Sequence, residues 1–211
     1  MNTIDEETEA VIYGRMIDPS ELSNCISSID MTQLQATLGK DKRCRCRYEK
    51  VGEAETYTHT VKVKKVGEVG IPVNTEYNFP VDASFFEYFK SLSEEYHVKK
   101  RYMFKLEHPT FEVTTPDGIV SLVVPDLICE VDVFEKEDGS ITDWCKIDIE
   151  LDSTLGHIEN IYPEATKANL LVTYNMLPIR LANAFLDSNA TDEQKETKKN
   201  LWDNEFSRKT K

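Results

Sequence analysis

The chain lacks most of the features that classify a protein at a glance. No apolar run among its 211 residues approaches the length of a membrane span, so no bilayer-crossing helix is expected. The opening stretch MNTIDEETEA has neither a basic nor an apolar region and does not read as a signal peptide. The five cysteines are odd in number and include no C-x-x-C pair. They read as reduced, mostly core-facing thiols of a cytoplasmic protein, and no Cys or His cluster has the spacing of a zinc site. A glycine-rich phosphate loop is absent, which excludes a P-loop enzyme. His59, His97, His108 and His157 are scattered and suggest no Ser–His–Asp or Cys–His arrangement. Positive charge is scarce: 25 Lys and Arg against 38 Asp and Glu give a net charge of −13. That argues against a general nucleic-acid coat but leaves room for a local basic groove.

What is present is a β-rich chain with enough apolar residues, 40%, to bury a core. Period-two alternation predicts strands at CRCRYEK, YTHTVKVKK, NTEYNFPVD, HVKKRYMFKL, TFEVTT, DLICEVDVF and WCKIDIELD, several joined by turn signals such as PDG and EDG. Helical spacing is read at PSELSNCISSI, at ASFFEYFKSLSEEY with Phe85, Phe86, Phe89 and Leu92 on one side, and at EATKANLLVTYNML and IRLANAFLD. Residues 1–190 read as a single β-rich domain with flanking helices. Residues 191–211 form a charged tail whose Leu201, Trp202 and Phe206 suit either a docked helix or a loosely ordered end.

The polar faces of the strands carry the chemistry. In CKIDIELD the apolar Ile147, Ile149 and Leu151 alternate with Lys146, Asp148, Glu150 and Asp152. Arg43, Arg45 and Arg47 share a face, as do Lys62 and Lys64, Lys99 and Arg101, and Glu130 and Asp132. Taken singly, each is the wet side of an antiparallel sheet. Together they sort into cationic earlier strands and anionic late ones, and like charges along one face cost stability unless something offsets them. A barrel with these faces inward would offset them. Cations would hold phosphate oxygens, carboxylates would hold a hard divalent cation, and a triphosphate would bridge the two walls.

The ordered series CRCRYE, YTHTVKVK, TEYNFP, VKKRYMF, CEVDVF and KIDIELDS resembles the CYTH superfamily, the triphosphate tunnel metalloenzymes, from about Arg43 to Ser153. The resemblance implies an α+β protein built on an eight-stranded antiparallel β-barrel with flanking helices and polar residues pointing inward. It implies metal-dependent hydrolysis of inorganic triphosphate, nucleoside or thiamine triphosphate, or RNA 5′-triphosphate ends, with Mg²⁺ or Mn²⁺. By motif, Arg45, Arg47, Lys62, Lys64, Lys99 and Arg101 would bind the substrate. Glu9, Glu76, Glu130, Asp148 and Glu150 would hold metal, with Asp132 and Glu150 catalytic. The family's first strand carries E-x-E-x-K; here Glu7 and Glu9 are followed by Val11 in the lysine place, and Arg15 is a candidate substitute. That departure raises an alternative, a tunnel that binds a nucleotide, a polyphosphate or a partner protein without turnover. No membrane partner is expected.

Overall fold

The computed structural model describes residues 3–7, 9–37, 42–66, 72–93, 95–115, 118–151, 170–171 and 176–209. Alternating sequences give strands at β1 (Thr3–Glu7), β2 (Glu9–Met16), β3 (Ser27–Thr37), β4 (Lys42–Val51), β5 (Ala54–Val66), β6 (Pro72–Pro80) and β7 (Glu95–Leu106). They continue with β8 (Thr110–Thr115), β9 (Gly118–Val123), β10 (Leu127–Glu135), β11 (Ile141–Glu150), β12 (Leu170–Leu171), β13 (Leu181–Leu186) and β14 (Arg208–Lys209). Two α-helices are described, α1 (Ala83–Leu92) and α2 (Asp192–Leu201). The fold class is α+β, dominated by antiparallel sheet.

The main sheet runs β1-β6-β5-β4-β3-β7-β10-β11-β2-β13, with β14 added to β7, while β12, β8 and β9 form a separate three-stranded sheet. This corrects the expected count: the hydrogen-bonded order passes through ten strands rather than eight, and no ladder joins β1 to β13 at its two ends. The sheet is nevertheless strongly curled. Lys62 on β5 and Glu9 on β2 stand third and ninth in that order, yet Lys62 Nζ lies 4.0 Å from Glu9 Oε1. In a flat sheet, six strand spacings would separate them by about 29 Å. The charged face is therefore the concave one.

Three predicted helices need correction. Over 19–29 only a 3₁₀ turn forms, at Pro19–Asn24, started by the Asp18 carboxylate accepting from the Ser20 N–H at 3.0 Å. The chain then enters β3, which pairs with both β4 and β7. IRLANAFLD is β13 rather than a helix. Its register shifts between Ala182 and Phe185, around Asn183 at φ 53, and this bulge imitates a helical spacing. Gly14 permits the pairing, because a Cβ there would meet Leu181 Cδ1 at 2.7 Å. The predicted helix EATKANLLVTYNML lies largely outside the described residues; its Leu170 and Leu171 form β12 against Val113 and Glu112.

Apolar residues on the convex face bury against what covers it. Ile12, Cys129, Val131, Cys145, Ile147 and Ile149 pack with Phe104, Phe111 and Val124. Helix α1, capped by Asp82 accepting from the Phe85 N–H at 2.8 Å, lays Phe86 and Phe89 over Leu34, Cys44 and Cys46. Leu92, expected on the same side, is exposed. His59 sits against Phe79, Phe85 and Phe89, as its position on the apolar face implied.

The C-terminal segment docks. Thr191 and Gln194 form a reciprocal capping box at the start of α2, and a π turn over Trp202–Phe206 follows. Phe206 stacks on Phe134 with centroids 4.0 Å apart, and Trp202 Nε1–H donates to the Tyr13 hydroxyl at 3.2 Å. His97, buried on β7, donates from Nδ1–H to the Phe206 carbonyl at 3.1 Å. Burial lowers its proton affinity, and that hydrogen bond opposes the shift only in part. As pH falls below about 6.5 the unfolded chain therefore binds a proton at this position before the folded chain does, and stability is lost with falling pH. Denaturant midpoints measured from pH 7.5 to 5 should fall in the native protein and fall less steeply in His97→Gln. Equal slopes would clear His97 of the effect.

Candidate active site

The basic wall is built by β4, β5 and β6, whose registers place Arg45 opposite Thr60 and Lys62 opposite Glu76. Glu76 is 1% exposed, and three hydrogen bonds explain why it tolerates burial. Arg45 Nη2 donates to both of its oxygens at 2.8 and 2.7 Å, and Lys62 Nζ lies 2.8 Å from Oε1. Arg47, on the same face, has a weaker partner: its Nη1 is 3.5 Å from Glu49 Oε1. The Nε atoms of both Arg45 and Arg47 are buried with no hydrogen-bond partner among the described residues. Burial depresses the proton affinity of Arg47, and Arg45 and Arg101 depress it further. Lys64 continues this face in sequence, but its side chain lies outside the described residues.

The acidic wall comes from β10, β11 and β2, with β7 beside it. Asp132 is fully buried and accepts from Arg101 Nε at 2.7 Å and Nη2 at 2.9 Å, and from Lys99. Burial raises its proton affinity, but Arg101 and Lys99 outweigh burial and hold the carboxyl well below the usual carboxylate range. Burial in turn lowers Lys99 to about 8 against the pull of Asp132, helped by repulsion from Arg101 and Lys146. Arg101 also pairs with Glu130 and lies 3.8 Å from Asp148, so three carboxylates overcome its burial and raise its proton affinity. Glu130 is shifted upward, by burial first, with Arg101 opposing and Asp132 and Asp148 adding. Asp148 is held at both oxygens by Lys146. Glu150 stands opposite Glu9 in the β11–β2 ladder, a cross-strand pair of like charges about 5 Å apart at Cβ.

Oxygen donors are the right chemistry for Mg²⁺ or Mn²⁺. Among the described residues no three Asp, Glu, His or Cys side chains converge to hold an ion. Of the five residues expected to bind metal, Glu76, Glu130 and Asp148 are each gripped by a protein cation, and Glu9 lies near Lys62.

No family model matches the chain, and no curated protein matches it. Among solved structures it is similar to the PH1012 protein of Pyrococcus horikoshii OT3, at 15% identity and a TM-score of 0.44 over 82% of this chain and 99% of that one. A conserved hypothetical protein of Pyrococcus furiosus, Pfu-838710-001, gives 18% identity and a TM-score of 0.45 over 81% of this chain and 100% of that one. The PH1819 protein of Pyrococcus horikoshii OT3 gives 12% and 0.43 over 90% and 99%.

The structure thus gathers Arg45, Lys62, Glu76 and Glu9 in one network and Lys99, Arg101, Glu130, Asp132 and Asp148 in another. Arg15, the proposed substitute for a first-strand lysine, is not part of either: it is exposed and pairs with Asp143 at 2.5 Å. Two members were missed as site residues. Lys146 was visible on the acidic face of CKIDIELD, and Tyr13 follows Glu9 and Val11 with period two. Burial raises the Tyr13 phenol to about 12 against the opposing charge of Lys146.

Proposed function

We propose that the protein binds and hydrolyses triphosphate-containing compounds inside a rolled sheet, in the manner of the CYTH superfamily. The rolled sheet follows if β1 and β2, separated by Thr8 alone, act as one stave pairing with β6 on one side and β11 on the other. Eight strands then encircle the charged face. The observation that carries the reading is the arginine cluster. Arg47 feels the like charge of both Arg45 and Arg101, and the Nε–H groups of Arg45 and Arg47 are buried without acceptors among the described residues. Buried donors without acceptors are expensive, and a polyanion supplies both acceptors and opposite charge.

In this reading the cations position the chain of phosphates and disperse its charge, and little covalent chemistry falls to the protein. Mg²⁺ or Mn²⁺ enters as the counter-ion of the triphosphate, a complex that needs only one or two protein carboxylates. The Glu9–Glu150 pair offers them, and Glu150 faces the attacking water. Asp132 braces Lys99 and Arg101.

A second reading, a tunnel that binds without cleaving, has one observation in its favour: most of the acidic wall is already neutralised by Lys99, Arg101 and Lys146. Phosphate release from tripolyphosphate, ATP and GTP with each metal separates the two. Turnover that drops at least about 100-fold in Glu150→Ala supports the enzyme. Tight binding without release under either metal supports the binder, and neither binding nor release removes both.

A further inference from the structure

On the acidic wall one half-buried cation stands among carboxylates. Lys146 sits on β11 opposite Asp132 of β10 and Tyr13 of β2, and its ammonium contacts both oxygens of Asp148. The residue opposite Asp148 on β2 is Val11, whose short apolar side chain offers no charge. Arg15, the other cation on this face of β2, is exposed and paired with Asp143. Lys146, its side chain 19% exposed, is thus the one largely enclosed cation on the described faces of β2, β10 and β11.

An ammonium has three N–H donors, and no acceptor other than Asp148 engages Lys146 among the described residues. Without Lys146, Glu9, Glu130, Asp132, Asp148 and Glu150 would face an incoming triphosphate with Lys62, Lys99 and Arg101 nearby, each already paired with a carboxylate.

We propose that Lys146 is the phosphate-gripping cation of the acidic wall, supplying from β11 the charge that Val11 fails to supply from β2. The inference rests on the triphosphate reading and adds a binding residue to it. Asp148 holds the side chain in place, and the remaining N–H donates to a phosphate oxygen. The position of the charge in space matters here, and the strand that carries it does not. A lysine at position 11 would start opposite Asp148 and reach the same carboxylate.

The test is a charge relocation. Tripolyphosphate binding is measured by calorimetry, with thermal melts alongside, for the native protein, Lys146→Met, Val11→Lys and the double variant. Lys146→Met should weaken binding at least about tenfold, and Val11→Lys in the same chain should restore it to within about threefold of native. A purely structural lysine would lower the melting temperature of Lys146→Met and leave the affinity of the folded protein unchanged, which overturns the proposal. If Lys146→Met does not fold, the double variant decides. Folded and binding, it supports the relocation; unable to fold, it assigns Lys146 to the fold alone, and folded without binding, it shows that a charge at position 11 cannot stand in for Lys146; either result overturns the proposal. A native protein that binds no tripolyphosphate removes the reading of the previous section and this one with it. Native binding matched by an equally tight Lys146→Met removes only this one.

Discussion

Replacing Asp132 with Asn should lower the melting temperature by on the order of 10 °C. Asp132 is fully buried and is the shared anion of Lys99 and Arg101. Breaking a buried pair by removing one partner costs about 3–5 kcal/mol, because the other charge stays behind in a poor solvent. For a chain of this size each kcal/mol corresponds to roughly 2–4 °C. Arg101 keeps Glu130, so the burden falls on Lys99. Lys99 can escape by losing its proton, and this gives the variant a signature in pH. In the native protein Lys99 titrates at about 8, so the fold gains stability from this group as pH rises above that value. Without Asp132 the folded chain releases the proton at lower pH, while the unfolded chain holds it to about 10.4. The variant should therefore gain stability between pH 6 and 8, where Lys99 leaves the native protein flat. Thermal melts across that range check both parts; a variant as stable as the native protein would mean that the carboxylate braces nothing.

The second large effect is on binding and leaves the fold intact. Arg47→Ala should weaken tripolyphosphate binding roughly 10- to 100-fold, the cost of losing one or two charge-assisted hydrogen bonds. Stability should change by less than about 1 kcal/mol, because no strong ion pair is broken. The Glu49 contact is 3.5 Å, the Nε–H has no acceptor among the described residues, and two other arginines repel the guanidinium. A side chain that contributes little to folding while crowding its own kind is held for something else. Calorimetry and a denaturant melt on the same sample decide it. Native-like affinity combined with a large loss of stability would make Arg47 a structural cation.

The two walls differ in how much of them the sequence showed. Period two is a local property, so the sorting of Cys44 and Cys46 from Arg45 and Arg47, or of Ile147 and Ile149 from Asp148 and Glu150, needed no knowledge of partners. Strand β3 escaped because Met31 and Leu34 are both buried. Three residues apart, they lie on opposite faces of a strand but share a face of a helix. Pairing between strands could not be read at all. Glu76 meets Arg45 31 residues away, and Asp132 meets Lys99 33 residues away. Strand order and register set those contacts, and no alternation encodes either. The acidic residues could be placed on one face, while the cations that already occupy them came only with the fold.

Strand β2 has a consequence for how the molecule is made. Ribosomal synthesis releases β2 well before its partners: Gly14 waits for Cys145, 131 residues on, and Tyr13 waits for Trp202, 189 residues on. Closing loops of that length is slow, because their entropy is spent before any contact repays it. Strand β2, made before either of its neighbours β11 and β13, is thus bracketed on both sides only late. Until β11 and β13 emerge, the nascent sheet keeps a raw hydrogen-bonding edge, the kind of surface that chaperones hold and neighbouring chains capture.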